Sequence, residues 1–123
     1  MVGLRKGIAN DRPLIGPYGV NQEGSGDMYN KGANLIHTIR AIMGDDARFK
    51  AMLREMNSTY HHRTVTSGLI EGFMSQHAGR DLSPIFDQYL RTTQIPVLEW
   101  KIERKRFYYR WADCRCYMLW LYW

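Results

Sequence analysis

The sequence predicts a mainly α fold, with about four packed helices followed by a terminal β-hairpin. Apolar residues recur at helical spacing between residues 27 and 90, and they alternate with polar residues after Pro96. A glycine follows the first and the third helical pattern, as is common where a helix ends. With 123 residues, 45% of them hydrophobic, the chain can bury a single modest core.

Residues 1–26 form a different kind of segment, with six glycines and two prolines and no apolar period. This composition predicts a loop or arm that precedes the helices. The first residues lack the apolar core of a signal peptide, and the final apolar run, "CYMLWLYW", is far shorter than the ~20 residues that cross a bilayer. We therefore expect no membrane partner, and the sequence gives no cellular location.

The first helix is predicted to begin near Asp27, with Asp27 or Ser25 supplying the N-cap oxygen. Gly44 stands where a C-terminal glycine is expected. Its apolar positions follow a helical period: Leu35, Ile36, Ile39, Ile42 and Met43.

The second helix is predicted over residues 45–57, where Asp45 and Asp46 suit the positive end of the helix dipole. The turn before it is so short that the first two helices must be antiparallel neighbours. Thr66 or Ser67 is expected to cap a third helix, which ends at Gly79. The apolar residues of these two helices are Phe49, Met52, Leu53, Met56, Leu69, Ile70, Phe73 and Met74.

A fourth helix is predicted from "DLSPIFDQYL", with Asp81 or Ser83 as its cap and Pro84 in its first turn. The alternation after Pro96 then predicts two strands joined at "RKR" (104–106). The apolar residues of one hairpin face are Leu98, Trp100, Ile102, Phe107, Tyr109 and Trp111.

The change from helical to strand periodicity near residues 94–96 predicts a domain boundary. Residues 1–95 form a helical portion, with 1–26 as its arm, and residues 96–123 begin a β domain that the chain does not finish. A lone hairpin is marginally stable, and its aromatic residues need a sheet partner that we do not expect the chain to supply. We therefore expect self-association through the hairpin and the tail.

Motifs for the commoner catalytic and metal sites are missing from the sequence. It contains no H-E-x-x-H or other paired zinc spacing, no G-x-S-x-G, and no glycine loop that ends in G-K-[ST]. Cys114 and Cys116 form a C-x-C, a weak metal signal that fits plain thiols in a reducing compartment. Surface or core positions are expected for the histidines, and no metal is expected on this chain. They are His37, His61, His62 and His77.

The net charge of +5, concentrated around "KIERKR" (101–106), permits binding to nucleic acid without specifying it. The run "KRFYYRW" could stack bases, although its alternation is better explained by a strand with one buried aromatic face. One reading of the chain is therefore a non-enzymatic helical interaction module that binds nucleic acid or protein through the basic aromatic hairpin.

Tyr29 lies in the first turn of the first predicted helix, directly after the glycine loop "GSGD". A tyrosine here most often packs its ring on the core and leaves its hydroxyl in water. Two neighbours favour a more specific role. Gly32 removes a side chain beside the ring, so that another segment can approach, and Asp27 and the loop leave the hydroxyl uncrowded.

The segments "MYNKGANLIHTIRAIMGDDARFKAMLREM" and "TSGLIEGFMSQHAGRDLSPIFDQYLRTTQIPVLEW" resemble the zinc aminopeptidase family of aminopeptidase N and leukotriene hydrolase. That family carries Y-x-K-G at the head of a helix, an "LGD…F" turn and "G.DLS.FFDQWL…G.P.L" before its β domain. The resemblance covers roughly residues 16–111 in order and stops after Asp113.

The resemblance implies a role for Tyr29. In the family, the tyrosine of Y-x-K-G stabilises the oxyanion that forms when zinc-bound water attacks the scissile carbonyl. Lys31 and Gly32 complete the motif here, and Asn30 replaces the commoner glutamate. A phenol is protonated at neutral pH and can donate to an oxyanion, so the residue suits that role.

The family's H-E-x-x-H, its downstream zinc-ligand glutamate and its G-x-M-E-N substrate loop are missing from this sequence. By resemblance, the chain corresponds to the C-terminal helical portion of a thermolysin-like catalytic domain plus the start of a truncated β domain. The expected parent is a zinc metallopeptidase that acts on peptide N-termini. The expected partners are the peptide substrate and the remainder of both domains. This chain alone is expected to be inactive and to bind no zinc.

Overall fold

Helical segments precede all the strands along the chain. The computed structural model describes residues 6–21, 24–104, 106–112 and 121–122. The mainly α fold with a C-terminal antiparallel hairpin is confirmed. The elements are α1 (Asp27–Met43), α2 (Asp46–Thr59), α3 (Ser67–Ala78), α4 (Ser83–Phe86), a π-helical stretch (Asp87–Arg91), β1 (Val97–Glu103), β2 (Arg106–Ala112) and β3 (Leu121–Tyr122).

The predicted starts of the second and third helices and the glycine ends of the first and third are confirmed, whereas the second helix runs to Thr59, beyond the predicted residue 57. The Asp45 carboxylate accepts backbone N–H bonds of 2.8 and 3.0 Å in the first turn of α2. Thr66 Oγ1 accepts one of 3.4 Å at the start of α3. Gly44 and Gly79 adopt φ values of 64° and 70°, in the left-handed region that favours glycine after a helix.

The predicted cap of α1 is wrong for Asp27 and only partly right for Ser25. Gly26 occupies the N-cap position, with no side-chain cap, and Asp27 lies inside the first turn. Ser25 Oγ accepts the N–H of Asp27 at 3.2 Å. The Asp27 carboxylate does not cap the helix; it accepts hydrogen bonds from the backbone N–H groups of Ala9 and Asn10 in the arm.

The core lies where α1, α2, α3 and α4 meet. Its fully buried side chains include Ile39, Met52 and Leu82, one each from α1, α2 and the residue just before α4. Ile39 and Met52 belong to apolar stripes with the 3.6-residue period, which bring one face of each helix to the same centre, and Leu82 joins them from the residue that precedes α4. The other buried core residues are Leu35, Phe49, Met74 and Phe86.

The fourth helix differs from its prediction, because it continues after Phe86 as the π-helical stretch Asp87–Arg91. Arg91 anchors this stretch to α3 through a bidentate ion pair with Glu71, with N–O distances of 2.7 and 3.1 Å. The same guanidinium contacts Asp87 at 3.2 Å. The pairing of Arg91 with the distant Glu71 is a physical reason for the π-helical turn, which the local sequence does not predict.

The hairpin has the predicted alternation, with Trp100 opposite Tyr109 and Ile102 opposite Phe107. β3 corrects the expectation that the chain supplies no sheet partner: it pairs with β2 over Leu121–Tyr122. Most of the tail, residues 113–120 and 123, lies outside the described residues. Among the helices that the structure describes, none has the length and apolarity that a membrane span requires.

Candidate functional site

Tyr29 is presented to solvent on the first turn of α1, with 74% of its surface exposed. Its backbone N–H donates to the carbonyl of Gly26 at 3.3 Å, which fixes the start of the helix. Within the described part of the chain, its hydroxyl has no hydrogen-bond partner. The commoner arrangement, with the ring packed on the core, is therefore not the one found here.

Among the described residues, the helix face around Tyr29 is largely apolar and uncovered. Ala33 and Ile36 follow at helical spacing on the same side of α1, and both are exposed, as is Arg40 at the far end of this side. The opposite side of α1 carries the stripe of buried residues. An apolar stripe on the outer side of an amphipathic helix is unusual for a surface that meets only water.

Gly32 does not bring another segment close to the Tyr29 ring. A Cβ placed on Gly32 would meet no other described atom within 4 Å, so the space beside the ring is open. The predicted close approach is thus not found among the described residues. In the part of the chain that the structure describes, the surroundings of the hydroxyl are uncrowded, as predicted.

Lys31 has the opposite environment to Tyr29, although it lies only two residues further along the helix. It is 7% exposed, and its ammonium donates to Asn10 Oδ1 and to the Thr92 carbonyl, both at 2.9 Å. Burial lowers the pKa of Lys31, and the nearby Asp27 carboxylate opposes that shift. We call Lys31, Asn10, Thr92 and Asp27 the Lys31 network.

The Lys31 network fastens the arm to the start of α1. Asp27, 3% exposed, accepts the backbone N–H groups of Ala9 and Asn10 at 2.9 and 2.5 Å. The Asn10 side-chain amide also donates to the Thr93 carbonyl. Three segments distant in sequence therefore meet at one buried lysine, on the side of α1 opposite to Tyr29.

Most of this network was not predicted from the sequence. Lys31 was expected as part of a motif and Asp27 as a helix cap, whereas no role was expected for Asn10 or Thr92. The buried stripe of α1 contained a signal, because Asp27 and Lys31 precede Leu35 at the same four-residue spacing. A charged pair on the inward side of a helix indicates a buried polar partner.

The described histidines hold no metal site. No group of three or more histidine, cysteine, aspartate or glutamate side chains in the described residues could ligate a metal ion. The rings of His61 and His62 lie against each other at a tilt of 54°, with centroids 3.9 Å apart. His77 Nδ1 lies 3.0 Å from the Phe73 carbonyl, and Nε2 lies 3.1 Å from Glu55 Oε2. The Phe73 carbonyl first, and then Glu55, raise the pKa of His77.

The chain was also compared with known proteins. No family model, no curated protein and no solved structure matches it. The resemblance to the zinc aminopeptidases therefore remains a prediction.

Proposed function

We propose that this chain is a portion of a zinc-dependent aminopeptidase and contributes Tyr29 as a hydrogen-bond donor to the reaction's oxyanion. The proposal starts from the order of the motifs along the sequence. The observation that carries it is the contrast between the exposed phenol of Tyr29 and the buried ammonium of Lys31. An oxyanion donor needs a free hydroxyl on a rigid support, and an exposed phenol on a helix start that is held by buried hydrogen bonds supports such a role.

The rigid support comes from the Lys31 network. It holds the arm and the first turn of α1 by contacts on the inward side of the helix, leaving the outward side uncovered. A tyrosine carried by a fixed helix start can keep its hydroxyl at one position relative to a substrate. Such preorganised donors are effective because they do not have to reorient as charge develops.

The uncovered apolar face of α1 supports the view that more protein packs beside Tyr29. Ala33 and Ile36 would be covered by the remainder of a catalytic domain, which would also form the wall of a cleft around the hydroxyl. The donors found in the described residues do not make a zinc site. We therefore assign no step through the metal to this chain, and its ligands belong in our proposal to the rest of the parent.

The first test is the reading frame that encodes the parent, in which an upstream H-E-x-x-H supports the proposal. The second is Tyr29→Phe in the intact parent, which keeps the ring and removes one donor. Loss of one oxyanion donor typically lowers kcat by about 10²–10³, or roughly 2.7–4 kcal/mol. The Michaelis constant should change little, because the hydroxyl meets charge that develops only after substrate binding.

Tyr18→Phe is the matched control, because Tyr18 is equally exposed, at 77%, and its hydroxyl bonds Ser67 Oγ at 2.8 Å. Its kcat should equal that of the parent, with zinc content verified in both variants. A kcat for Tyr29→Phe within a few-fold of the parent contradicts the proposed role. The isolated chain should show no peptide turnover above a blank and no stoichiometric zinc after dialysis.

An interaction module is the second candidate, and the open hairpin face favours it. Trp100 and Ile102 are 62% and 65% exposed. The ion pair between Glu99 and Arg110 cancels charge on the polar face, and Lys101 lies 3.0 Å from Glu103. These ion pairs leave the positive charge of the hairpin near its turn, at the exposed Arg104 and Arg106. The exposed apolar face is therefore the feature that favours a protein partner, and salt-sensitive binding to DNA or RNA would instead favour nucleic acid.

A further inference from the structure

β1 is an edge strand of the described sheet. The strand order is β1-β2-β3, so β1 has β2 on one side and no described strand on the other. Its apolar side chains are open to solvent: Trp100, Ile102 and Leu98 are 62%, 65% and 45% exposed. An exposed, apolar edge strand is a template for another strand.

The hairpin turn determines which backbone groups this edge presents. Glu103 pairs with Arg106, which leaves a two-residue connection, and Arg104 has the positive φ of 48° that such turns require. The pair that flanks a two-residue loop exchanges both backbone hydrogen bonds. From Glu103 backwards, every second residue of β1 therefore forms its backbone hydrogen bonds with β2. The residues between them direct their backbone N–H and C=O groups away from β2, towards the open edge of the sheet. They are Ile102, Trp100 and Leu98.

We propose that a second copy of this chain pairs with this edge, antiparallel and about a two-fold axis, with Trp100 of each copy opposite the other. This inference is independent of the proposed aminopeptidase function. A two-fold interface requires self-complementarity, and an antiparallel strand pair provides it. Trp100 is the midpoint of Val97–Glu103, so this register alone pairs all seven residues of β1.

The charges of β1 select the same register over its neighbours. Centred on Trp100, the pairing sets Glu99 of each copy opposite Lys101 of the other. Centred on Lys101, it sets lysine opposite lysine and Glu99 opposite Glu103. Centred on Glu99, it sets glutamate opposite glutamate. Opposite charges stabilise a cross-strand pair and like charges destabilise it.

The same register also matches the apolar face. Trp100 meets its own counterpart, and Leu98 meets Ile102 of the second copy, so aromatic and branched side chains lie side by side. On the polar face, Glu99 of one copy accepts a hydrogen bond from Arg110 of the same copy. In the proposed register it also lies opposite Lys101 of the second copy, so the three side chains form a row of alternating charge. Both faces therefore favour one arrangement.

Analytical ultracentrifugation of charge variants tests the register. Glu99→Lys and Lys101→Glu each set like charges opposite one another twice, and each should weaken the dimer about tenfold or more. An equimolar mixture of the two variants restores opposite charges at both positions and should dimerise at least as well as the unsubstituted chain.

Glu103→Lys and Glu103→Gln form the control pair, because both remove the intrachain contact of Glu103 with Lys101. In the proposed register residue 103 faces the uncharged Val97, so the two variants should have dissociation constants within about threefold of each other. In the register centred on Lys101, Glu103→Lys would instead face Glu99 and form a tighter dimer than Glu103→Gln. That difference would contradict the proposed register.

Hydrogen exchange on the unsubstituted chain tests the same edge without any variant. Raising the protein concentration should slow exchange of the amides of Leu98, Trp100 and Ile102. The amides of Glu99 and Lys101 face β2 and should not respond. A chain that stays monomeric, or association without protection at these three amides, overturns the proposal.

Discussion

Replacing Lys31 with methionine tests whether the Lys31 network holds the arm to α1. Methionine keeps the length and the apolar part of the side chain and removes the ammonium. The two bonds to Asn10 and Thr92, both 2.9 Å, lose their donor. A hydrogen bond from a charged group contributes about 1.5–3 kcal/mol, so the gross loss is about 3–6 kcal/mol.

Part of that loss is offset, since the folded state no longer has to bury an ammonium, while the buried Asp27 carboxylate loses the nearby cation that compensated its charge. Asn10 and the half-buried Thr92 can also recover water once the lysine is gone. We therefore expect the free energy of unfolding to fall by about 2–4 kcal/mol. That is a large share of the about 5–15 kcal/mol that stabilises a typical domain.

Urea unfolding followed by far-UV circular dichroism measures this change. Lys50→Met on the exposed side of α2 is the matched control and should alter the free energy of unfolding by less than about 0.5 kcal/mol. Hydrogen exchange of the Ala9 and Asn10 amides, which donate to Asp27, reports directly on the arm. Equal stabilities of Lys31→Met and Lys50→Met, with unchanged exchange at these amides, would refute the reasoning.

Two further predictions concern α3. Gly79→Ala should destabilise the fold by about 1 kcal/mol, because Gly79 has a positive φ. Gly72→Ala should stabilise the fold by about 0.5–1 kcal/mol, because Gly72 lies within the helix and an added Cβ would meet no atom of another segment within 4 Å. Equal effects of the two substitutions in urea unfolding would contradict both backbone assignments. Because the pKa of His77 is raised in the folded state, its stabilisation is present below the ordinary pKa of 6.5 and is lost as pH rises through the folded value. Urea midpoints should therefore fall with rising pH across that interval, and His77→Asn should remove the fall; an identical pH profile for the variant would rule out His77 as its origin.

The parts of the fold that the sequence predicted depend on local signals. Asp45, Thr66 and the glycines after α1 and α3 act on backbone groups within a few residues, so their effects can be read from the order of the residues. The alternation in the hairpin was likewise predictable, whereas the predicted turn over 104–106 is one residue too long, because Arg106 lies in β2 opposite Glu103. The caps, the C-terminal glycines and the strand alternation occur in the structure as predicted because the packing of the chain is compatible with them.

The parts that the sequence did not predict depend on distant partners. Burial of Lys31 requires acceptors from residues 10 and 92, which no local pattern places beside it. The π-helical stretch accompanies the pairing of Arg91 with Glu71, 20 residues away. The candidate site divides in the same way, since the position of Tyr29 on a helix start was predictable and the network that holds that helix start was not.

The sequence separations within the Lys31 network have a consequence for folding kinetics. Lys31 bonds partners 21 and 61 residues away, and Asn10 bonds a carbonyl 83 residues away, whereas α1, α2 and α3 are sequential neighbours. Closing long loops costs entropy before any contact repays it, so the helices should assemble first and the arm should dock after the transition state. The Lys31 network should then slow unfolding of the native chain and leave the folding rate nearly unchanged.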